Sequence, residues 1–303
     1  MNILSYRRYY FSASLICVLL AVFSIIRFGL SPGIEFTGGS LMRVSFTSER
    51  PSPEVVVESI SALIDEGVSV QTSGETGFII KTRDLTEDER LAITNALRKT
   101  SKGTLEENGF TSIGPSIGQE LRDKSLWAIS LVIIFIILFI AFSFRHVSKP
   151  VSSWRYGVIA IVALIHDVII PTGFFAYLTI VYGVEADTLF VTALLAILGL
   201  SVSDTIVVFD RIREKLKKSG RESFAEVVEE SLQETMGRSI NTSITILLAV
   251  LAIYLFGPES TRAFALVLGV GLLFGTYSSI FIASPLLVSW ESWGTKNGKS
   301  QKK

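Results

Sequence analysis

Six long apolar runs constrain the fold of this chain more than any other feature of its sequence. A helix needs about 17–25 predominantly apolar residues to cross the hydrocarbon core of a bilayer. The runs that meet or exceed this length are Phe11–Leu30, Leu126–Phe144, Tyr156–Ile180, Thr188–Phe209, Ile240–Phe256 and Ala263–Trp290. We therefore expect an α-helical membrane protein with six transmembrane helices, the last of them kinked near Pro285.

The composition supports this class and excludes several kinds of site. Charged residues make up 18% of the chain, whereas soluble globular domains carry about 25%. The single cysteine, Cys17, excludes an internal disulfide, and one cysteine with two histidines is too few for a Cys/His metal cluster. Equal numbers of basic and acidic residues indicate no nucleic-acid partner.

Basic residues predict the orientation of the helices, because Lys and Arg concentrate in cytoplasmic connections. They are Arg7 and Arg8 before the first run, Arg145, His146, Lys149 and Arg155 after the second, Arg211, Arg213, Lys215, Lys217, Lys218, Arg221 and Arg238 after the fourth, and Lys296, Lys299, Lys302 and Lys303 in the tail. All fall on one side if every run spans, so both termini are predicted to be cytoplasmic. The first run lacks a small-residue cleavage site and is interpreted as a retained anchor.

This orientation predicts the domain organisation. Residues 1–30 carry the N-terminus and helix one, 31–125 form an extracytoplasmic α+β domain, 126–293 hold helices two to six with a cytoplasmic loop at 210–238, and 294–303 form a basic cytoplasmic tail.

The polar segment 31–125 has the size of one small domain. Its strand candidates are Ser40–Thr47, Val68–Gln71, Gly77–Lys81 and Gly109–Ile113, and its helix candidates begin at Pro53 and at Glu87, the second behind a capping box of Thr86 and Glu89. This β-α-β-β-α-β order predicts a ferredoxin-like domain. Because the segment has no His or Cys, we expect it to hold or pull a partner, and we expect no enzyme and no cofactor.

Two glycine-rich segments flank this domain. The first contains Gly33, Gly38 and Gly39, and the second contains Gly114 and Gly118. Glycine accepts backbone conformations with positive φ, so one interpretation is a pair of hinges through which the domain swings. Tight turns and plain connectors explain the same glycines equally well.

A carboxylate within the fourth apolar run predicts a functional site. Asp204 costs about 2.5–3.5 kcal/mol at the centre of a membrane helix, so it should face a partner or water. The helical rise of about 1.5 Å per residue places Asp204 at the same depth as Arg238 and Thr242, at the start of the fifth run. We predict that these three side chains meet and form a pathway for protons or ions. A static ion pair that only fixes helix packing is the alternative.

Asp167 is a second carboxylate within an apolar run. It follows His166 near the middle of the third run, about 18 Å of helix from Arg155. A charge at this depth needs a partner. Two roles stay open for Asp167, a position in the ion pathway and a structural hydrogen-bonding role between helices.

An apolar stripe lies in the charged connection after the fourth run. Phe224, Val227, Val228 and Leu232 recur at helical spacing. This pattern predicts an amphipathic helix at the membrane interface or docked on a partner.

Several of these segments resemble the SecF family of protein-export membrane subunits. Gly199–Glu214 and Arg238–Leu247 resemble the fourth-helix and fifth-helix motifs of the family, Gly33–Gly39 and Ile113–Leu121 resemble the segments that flank its domain, and His166-Asp167 matches as well. The resemblance covers nearly the whole chain in order. The sequence departs from it at Ser203, where the family usually has Asn, at Glu35, where Asp is common, and at Ile246, where Thr is usual.

The resemblance implies an accessory subunit of the Sec translocon in the bacterial inner membrane. Family members belong to the resistance-nodulation-division superfamily and use the proton-motive force to help draw secreted proteins across the membrane. Some use sodium, so the sequence leaves the coupling ion open. The implied partners are a SecD-like membrane protein, the SecYEG translocon, translocating secretory polypeptides and membrane lipids, and the implied proton pathway contains Asp204, Arg238 and Thr242.

Two other functions are compatible with the same sequence. One is half of a small-molecule exporter of the same superfamily, which would want a roomy aromatic pocket outside the membrane. The other is a scaffold that stabilises the translocon without moving ions.

Overall fold

The six apolar runs form long helices, and the polar segment after the first run forms a small sheet. In chain order the elements are α1 (Arg7–Phe28), α2 (Ile34–Thr37), β1 (Gly39–Phe46), α3 (Pro53–Ser61), β2 (Ser69–Ser73), β3 (Gly77–Thr82), α4 (Glu87–Thr100), β4 (Leu105–Ile113), α5 (Pro115–Ser143), α6 (Ser153–Tyr182), α7 (Thr188–Lys218), α8 (Phe224–Phe256), α9 (Glu259–Ser278) and, after a π-helical turn at Ser279–Ala283, α10 (Ser284–Ser300).

The computed structural model describes residues 3–47, 50–64, 67–100, 104–143, 152–218 and 223–300. Several basic positions used to predict the orientation lie outside these residues: Arg145, His146, Lys149, Arg221, Lys302 and Lys303. Within the described part of the chain, six helices are long and apolar enough to cross a membrane, which confirms the six predicted spans.

The chain divides into two compact units. The helical unit comprises Met1–Leu30, Ala128–Val184 and Leu189–Lys303, and the sheet unit comprises Ser31–Trp127 together with Glu185–Thr188. The short connection between α6 and α7 therefore belongs to the sheet unit, although the helices on either side of it belong to the helical unit.

α7 and α8 extend well beyond the predicted spans, to Lys218 and from Phe224. Ion pairs join the two extensions: Arg211–Glu234, Lys215–Glu230 and Lys215–Glu234. The apolar stripe that begins at Phe224 shares one buried cluster with Phe209 and Ile212 of α7. The prediction of an interfacial or partner-docking helix is therefore wrong, because the stripe is already covered by the neighbouring helix of the same chain.

The irregularity predicted near Pro285 is a π-helical turn at Ser279–Ala283. A proline ring clashes with the carbonyl of the residue four positions earlier, and the wider turn lies directly before this proline. The Ser284 hydroxyl donates to the Ser279 carbonyl at 3.2 Å, across five residues. Such π-helical turns occur frequently at functional sites.

Two glycines one helical turn apart let α9 approach α7 closely. A Cβ atom added to Gly275 would lie 3.2 Å from Cβ of Ser201, and one added to Gly271 would overlap Ile197. Small residues at this spacing let membrane helices approach each other at the backbone. This close approach brings Thr276, the residue after Gly275, to Asp204 of α7.

The sheet unit is a four-stranded antiparallel sheet in the order β2-β3-β1-β4. Alternate strand residues such as Val44 and Phe78 share one buried core with Ile60 of α3 and Leu97 of α4. The elements follow the predicted β-α-β-β-α-β order.

The predicted capping box of α4 is confirmed. The Thr86 N–H donates to Glu89 Oε2 at 2.9 Å, and the Glu89 N–H donates to Thr86 Oγ1 at 3.4 Å. These two bonds satisfy backbone donors that have no partner within the first turn of a helix.

Candidate functional site

Asp167 lies where α6, α7 and the end of α9 meet. Its side chain is 0% exposed. The hydroxyls of Ser201 and Ser278 both donate to Oδ2, the second at 2.7 Å, and Nδ1 of His166 lies 2.7 Å from Oδ1. Three short contacts therefore occupy both carboxylate oxygens and hold the side chain away from water.

His166 completes this buried cluster. Its ring is 6% exposed, and Phe274 and Tyr277 of α9 lie beside it, with ring centroids 6.0 and 6.4 Å away. Within the described residues, Nε2 has no hydrogen-bond partner. With Asp167 ionised, Nδ1 is the nitrogen that donates, so Nε2 is an open acceptor position beside the carboxylate.

Asp204 lies about one helical turn after Ser201 on α7, and its environment differs from that of Asp167. It is half-buried, and its hydrogen bond from Oγ1 of Thr276 is long, at 3.4 Å. Thr276 also bonds to the hydroxyl of Ser243 on α8. Asp204 therefore faces hydroxyl groups of both α8 and α9, and its carboxylate is held much less tightly than that of Asp167.

A cavity of about 60 Å³ borders the Asp204 carboxylate. Its polar lining includes Ser203, Thr242 and Ser243. This volume has room for a few water molecules, because one water needs about 10–15 Å³. Carboxylate and hydroxyl oxygens around a small polar cavity are suited to passing a proton or to binding a small hard cation.

The structure brings Thr242 to Asp204 and leaves Arg238 at a distance. Thr242 lines the same cavity, whereas Arg238 is exposed and forms no ion pair with Asp204 in the described part of the chain. The predicted ion pair between Arg238 and Asp204 is therefore not formed in the described part of the chain. The reason is helix rotation, because Ser239 and Ser243 occupy the buried face of α8 and Arg238 lies on the neighbouring exposed face.

The contribution of α9 was missed by the sequence reasoning. Thr276 contacts Asp204, and Ser278 contacts Asp167, so one helix reaches both carboxylates. The available signal was the polar run Thr276–Ser279 within an otherwise apolar stretch. Hydroxyl residues are common in membrane helices as packing residues, so this run alone does not distinguish a site from an ordinary helix contact.

The two glycine-rich segments that flank the domain include positions that the backbone requires to be glycine. Gly38 and Gly39 have φ values of +77° and +121°, which side chains strongly disfavour. A Cβ atom on Gly118 would lie 2.7 Å from the amide nitrogen of Gly38, so the first segment packs directly on the start of α5. A Cβ atom on Gly33 would lie 3.2 Å from the Ala186 carbonyl oxygen, whereas one on Gly114 would make only an ordinary contact, 3.9 Å from Oδ2 of Asp84. Hinge motion at these glycines stays a prediction.

Two protein-family models match this chain. Residues 92–293 match the family model described as protein export membrane protein SecD/SecF, C-terminal, and residues 23–49 match the SecD/SecF GG motif. The chain is 41% identical to protein translocase subunit SecF of Thermobaculum terrenum, over 96% of this chain and 94% of that protein. It is 38% identical to SecF of Anaerolinea thermophila, over 98% and 96%.

The chain belongs to the SecF family. This confirms the resemblance found in the sequence and, with six apolar helices, identifies a multi-pass membrane protein. The second matched segment includes Gly33, Gly38 and Gly39.

Solved structures of SecDF resemble this SecF-family chain. SecDF from Thermus thermophilus, described as a translocon-associated membrane protein, superposes with a TM-score of 0.79 at 32% identity, over 96% of this chain and 39% of that one. SecDF in a super-membrane-facing form gives 0.70 at 31% identity, over 99% and 40%. This chain thus matches a part of SecDF that is about two-fifths of its length.

Proposed function

We propose that this chain is an accessory subunit of the Sec translocon that couples the proton-motive force to protein export, with Asp204 as the group that binds and releases the ion. The observation that supports this is the half-buried carboxylate on a small polar cavity, without a fixed ion pair among the described residues. A side chain with one long hydrogen bond can exchange its ion more readily than one with three short bonds. Asp167 then serves to hold α6, α7 and α9 together.

The coupling energy is adequate for a conformational step. One elementary charge crossing 100 mV supplies about 2.3 kcal/mol. Proton and sodium both fit a site made of carboxylate and hydroxyl oxygens, and the proton is the primary proposal.

The partner that we propose is a SecD-like membrane protein. The solved SecDF chains contain a region similar to this chain within a longer protein. α8 also exposes Arg238, Asn241 and Thr242 on its surface, and polar side chains in a membrane are costly unless another helix or water covers them. A polar face of this kind fits the helices of a second membrane subunit.

In this proposal the protein lies in the bacterial inner membrane, with both termini in the cytoplasm and the sheet unit outside as a ferredoxin-like domain. That domain would act on secretory polypeptides that leave the SecYEG translocon. No covalent reaction is required of any residue, and membrane lipids surround the apolar helix faces.

Substitution of Asp204 tests the proposal. Inverted membrane vesicles that contain the chain with its SecD partner would be assayed for export of a secretory precursor, with and without a protonophore. Asp204→Asn should lose the increment that depends on the proton-motive force and still co-purify with the partner. Asp210→Asn is the matched control, because Asp210 lies on the same helix, is exposed and pairs with Arg213 at 2.7 Å. An undiminished increment in Asp204→Asn would refute ion coupling and favour the non-conducting scaffold.

A further inference from the structure

The connection between α6 and α7 is bonded to the segment that precedes the sheet. The Ala186 N–H donates to the Ser31 carbonyl at 2.8 Å, and the Gly33 N–H donates to the Ala186 carbonyl at 2.7 Å. Pro32 and Ala186 thereby form a parallel β-bridge. A Cβ atom on Gly33 would lie 3.2 Å from the Ala186 carbonyl oxygen, so the close approach favours glycine.

A carboxylate of the same segment caps the next helix. Oε2 of Glu35 accepts a hydrogen bond from the backbone N–H of Thr188 at 2.7 Å, and Thr188 is the first residue of α7. The N-terminus of a helix carries unsatisfied N–H groups and a partial positive charge, so a carboxylate there is favourable. Glu35 therefore attaches the start of α7 to the sheet unit.

An ion pair adds a third attachment, between the sheet itself and the connection. Lys81 of β3 pairs with Glu185, and the two side chains are only 14% and 21% exposed. Lys81 lies opposite Leu41 of β1 and Ser69 of β2, so its backbone is held on both sides by the sheet. Partial burial makes such a pair less screened than one on an open surface.

These contacts are important because the two helices joined by the connection contain the intramembrane carboxylates. α6 contains Asp167, and α7 contains Ser201 and Asp204. Asp204 lies about 24 Å of helix from Thr188, at about 1.5 Å per residue. A hydrogen-bonded helix is stiff along its axis, so an axial shift near Asp204 reaches Thr188, whereas an unattached loop would absorb it.

We propose that Glu185–Thr188 is the coupling element through which ion binding at Asp204 acts on the sheet unit, with Glu35, Lys81 and Glu185 as its positioning residues. This inference rests on the proposed function and names the residues that transmit it. Breaking these contacts should leave ion movement across the membrane unchanged and should reduce the export that this movement drives.

The test exchanges the charges of Lys81 and Glu185. Proton uptake and precursor export are measured in parallel in vesicles that contain the chain and its SecD partner. Lys81→Glu should reduce the export increment that depends on the proton-motive force by about fivefold or more, the lower end of typical coupling between sites. Its proton uptake should stay close to that of wild type. The double variant Lys81→Glu/Glu185→Lys should restore export, because the pair re-forms with its charges reversed.

Two further variants control for loss of folding. Arg83→Glu breaks the ion pair with Glu89 in the same sheet unit, and should leave both export and uptake unchanged. Glu35→Ala removes the cap of α7 without introducing a charge, and should uncouple export from uptake as Lys81→Glu does.

The outcomes distinguish this inference from the function on which it rests. If uptake depends on Asp204 but Lys81→Glu and Glu35→Ala export normally, the coupling element is refuted and the proposed function stands. If the charge exchange fails to restore export, the ion pair is not a positioning contact. If uptake in wild type equals that of Asp204→Asn, the proposed function itself fails.

Discussion

Replacing the two intramembrane carboxylates one at a time should produce opposite phenotypes. Asp167→Asn changes an acceptor of three short contacts into a side chain with its own N–H donors, which face the donors of Ser201 and Ser278. Hydrogen bonds between membrane helices average about 0.6 kcal/mol, with a maximum of about 1.7. Only the bonds from Ser201 and Ser278 cross between helices, so the expected loss is about 1 kcal/mol, rising to ~3 kcal/mol at the upper limit.

Asp204→Asn should cost much less stability and much more function. The substitution perturbs one hydrogen bond of 3.4 Å, so we expect a loss below about 1 kcal/mol. Its effect on export is set by the transported charge. About 2.3 kcal/mol per charge at 100 mV corresponds to ~50-fold in rate, which is the largest increment that one ion can supply.

Two measurements on the same variants check this contrast. Unfolding of the purified complex in detergent gives the stability change, and export in vesicles with an imposed potential gives the coupling. Asp167→Asn should unfold more easily than wild type, while its remaining folded fraction still responds to the potential. The reasoning is refuted if Asp167→Asn is as stable as wild type yet does not respond to the potential, since Asp167 would then be the transporting group.

Three further predictions concern other contacts. Gly275→Leu should cost about 1–3 kcal/mol by overpacking against Ser201, whereas Gly199→Leu, at a glycine with open space, should unfold like wild type; equal effects in a detergent unfolding assay would contradict the close approach. Bonds from Arg83 and Thr86 lower the pKa of Glu89 from 4.5 to about 2, so their stabilisation is present above pH 4.5 and is lost as the pH falls towards 2. The thermal stability of Glu89→Gln should therefore depend less on pH in that window, and an unchanged pH profile would argue against the capping role. Glu229→Ala removes the acceptor for the N–H groups of Ile3 and Leu4, at 2.8 and 2.9 Å, and should speed hydrogen exchange of those amides about tenfold; unaltered exchange would rule the contact out.

Local patterns in the sequence predicted the elements of this protein. The six helices follow from runs of apolar residues long enough to span a bilayer, a property of each segment alone. The β-α-β-β-α-β order and the start of α4 at Thr86 and Glu89 follow from short-range alternation and capping, which involve neighbours in the chain. Asp204 and Asp167 were identified because a charge within an apolar run is costly wherever the run packs.

The neighbours of those carboxylates were decided only by the tertiary structure. Helix rotation and axial position depend on contacts between distant segments, such as Gly275 of α9 against Ser201 of α7. That packing presents Thr276 and Ser278 to the two carboxylates and leaves Arg238 on the exposed face of α8. The attachment of the α6–α7 connection was likewise beyond the sequence, because Glu35 and Thr188 are far apart in the chain and meet only when the sheet unit has formed.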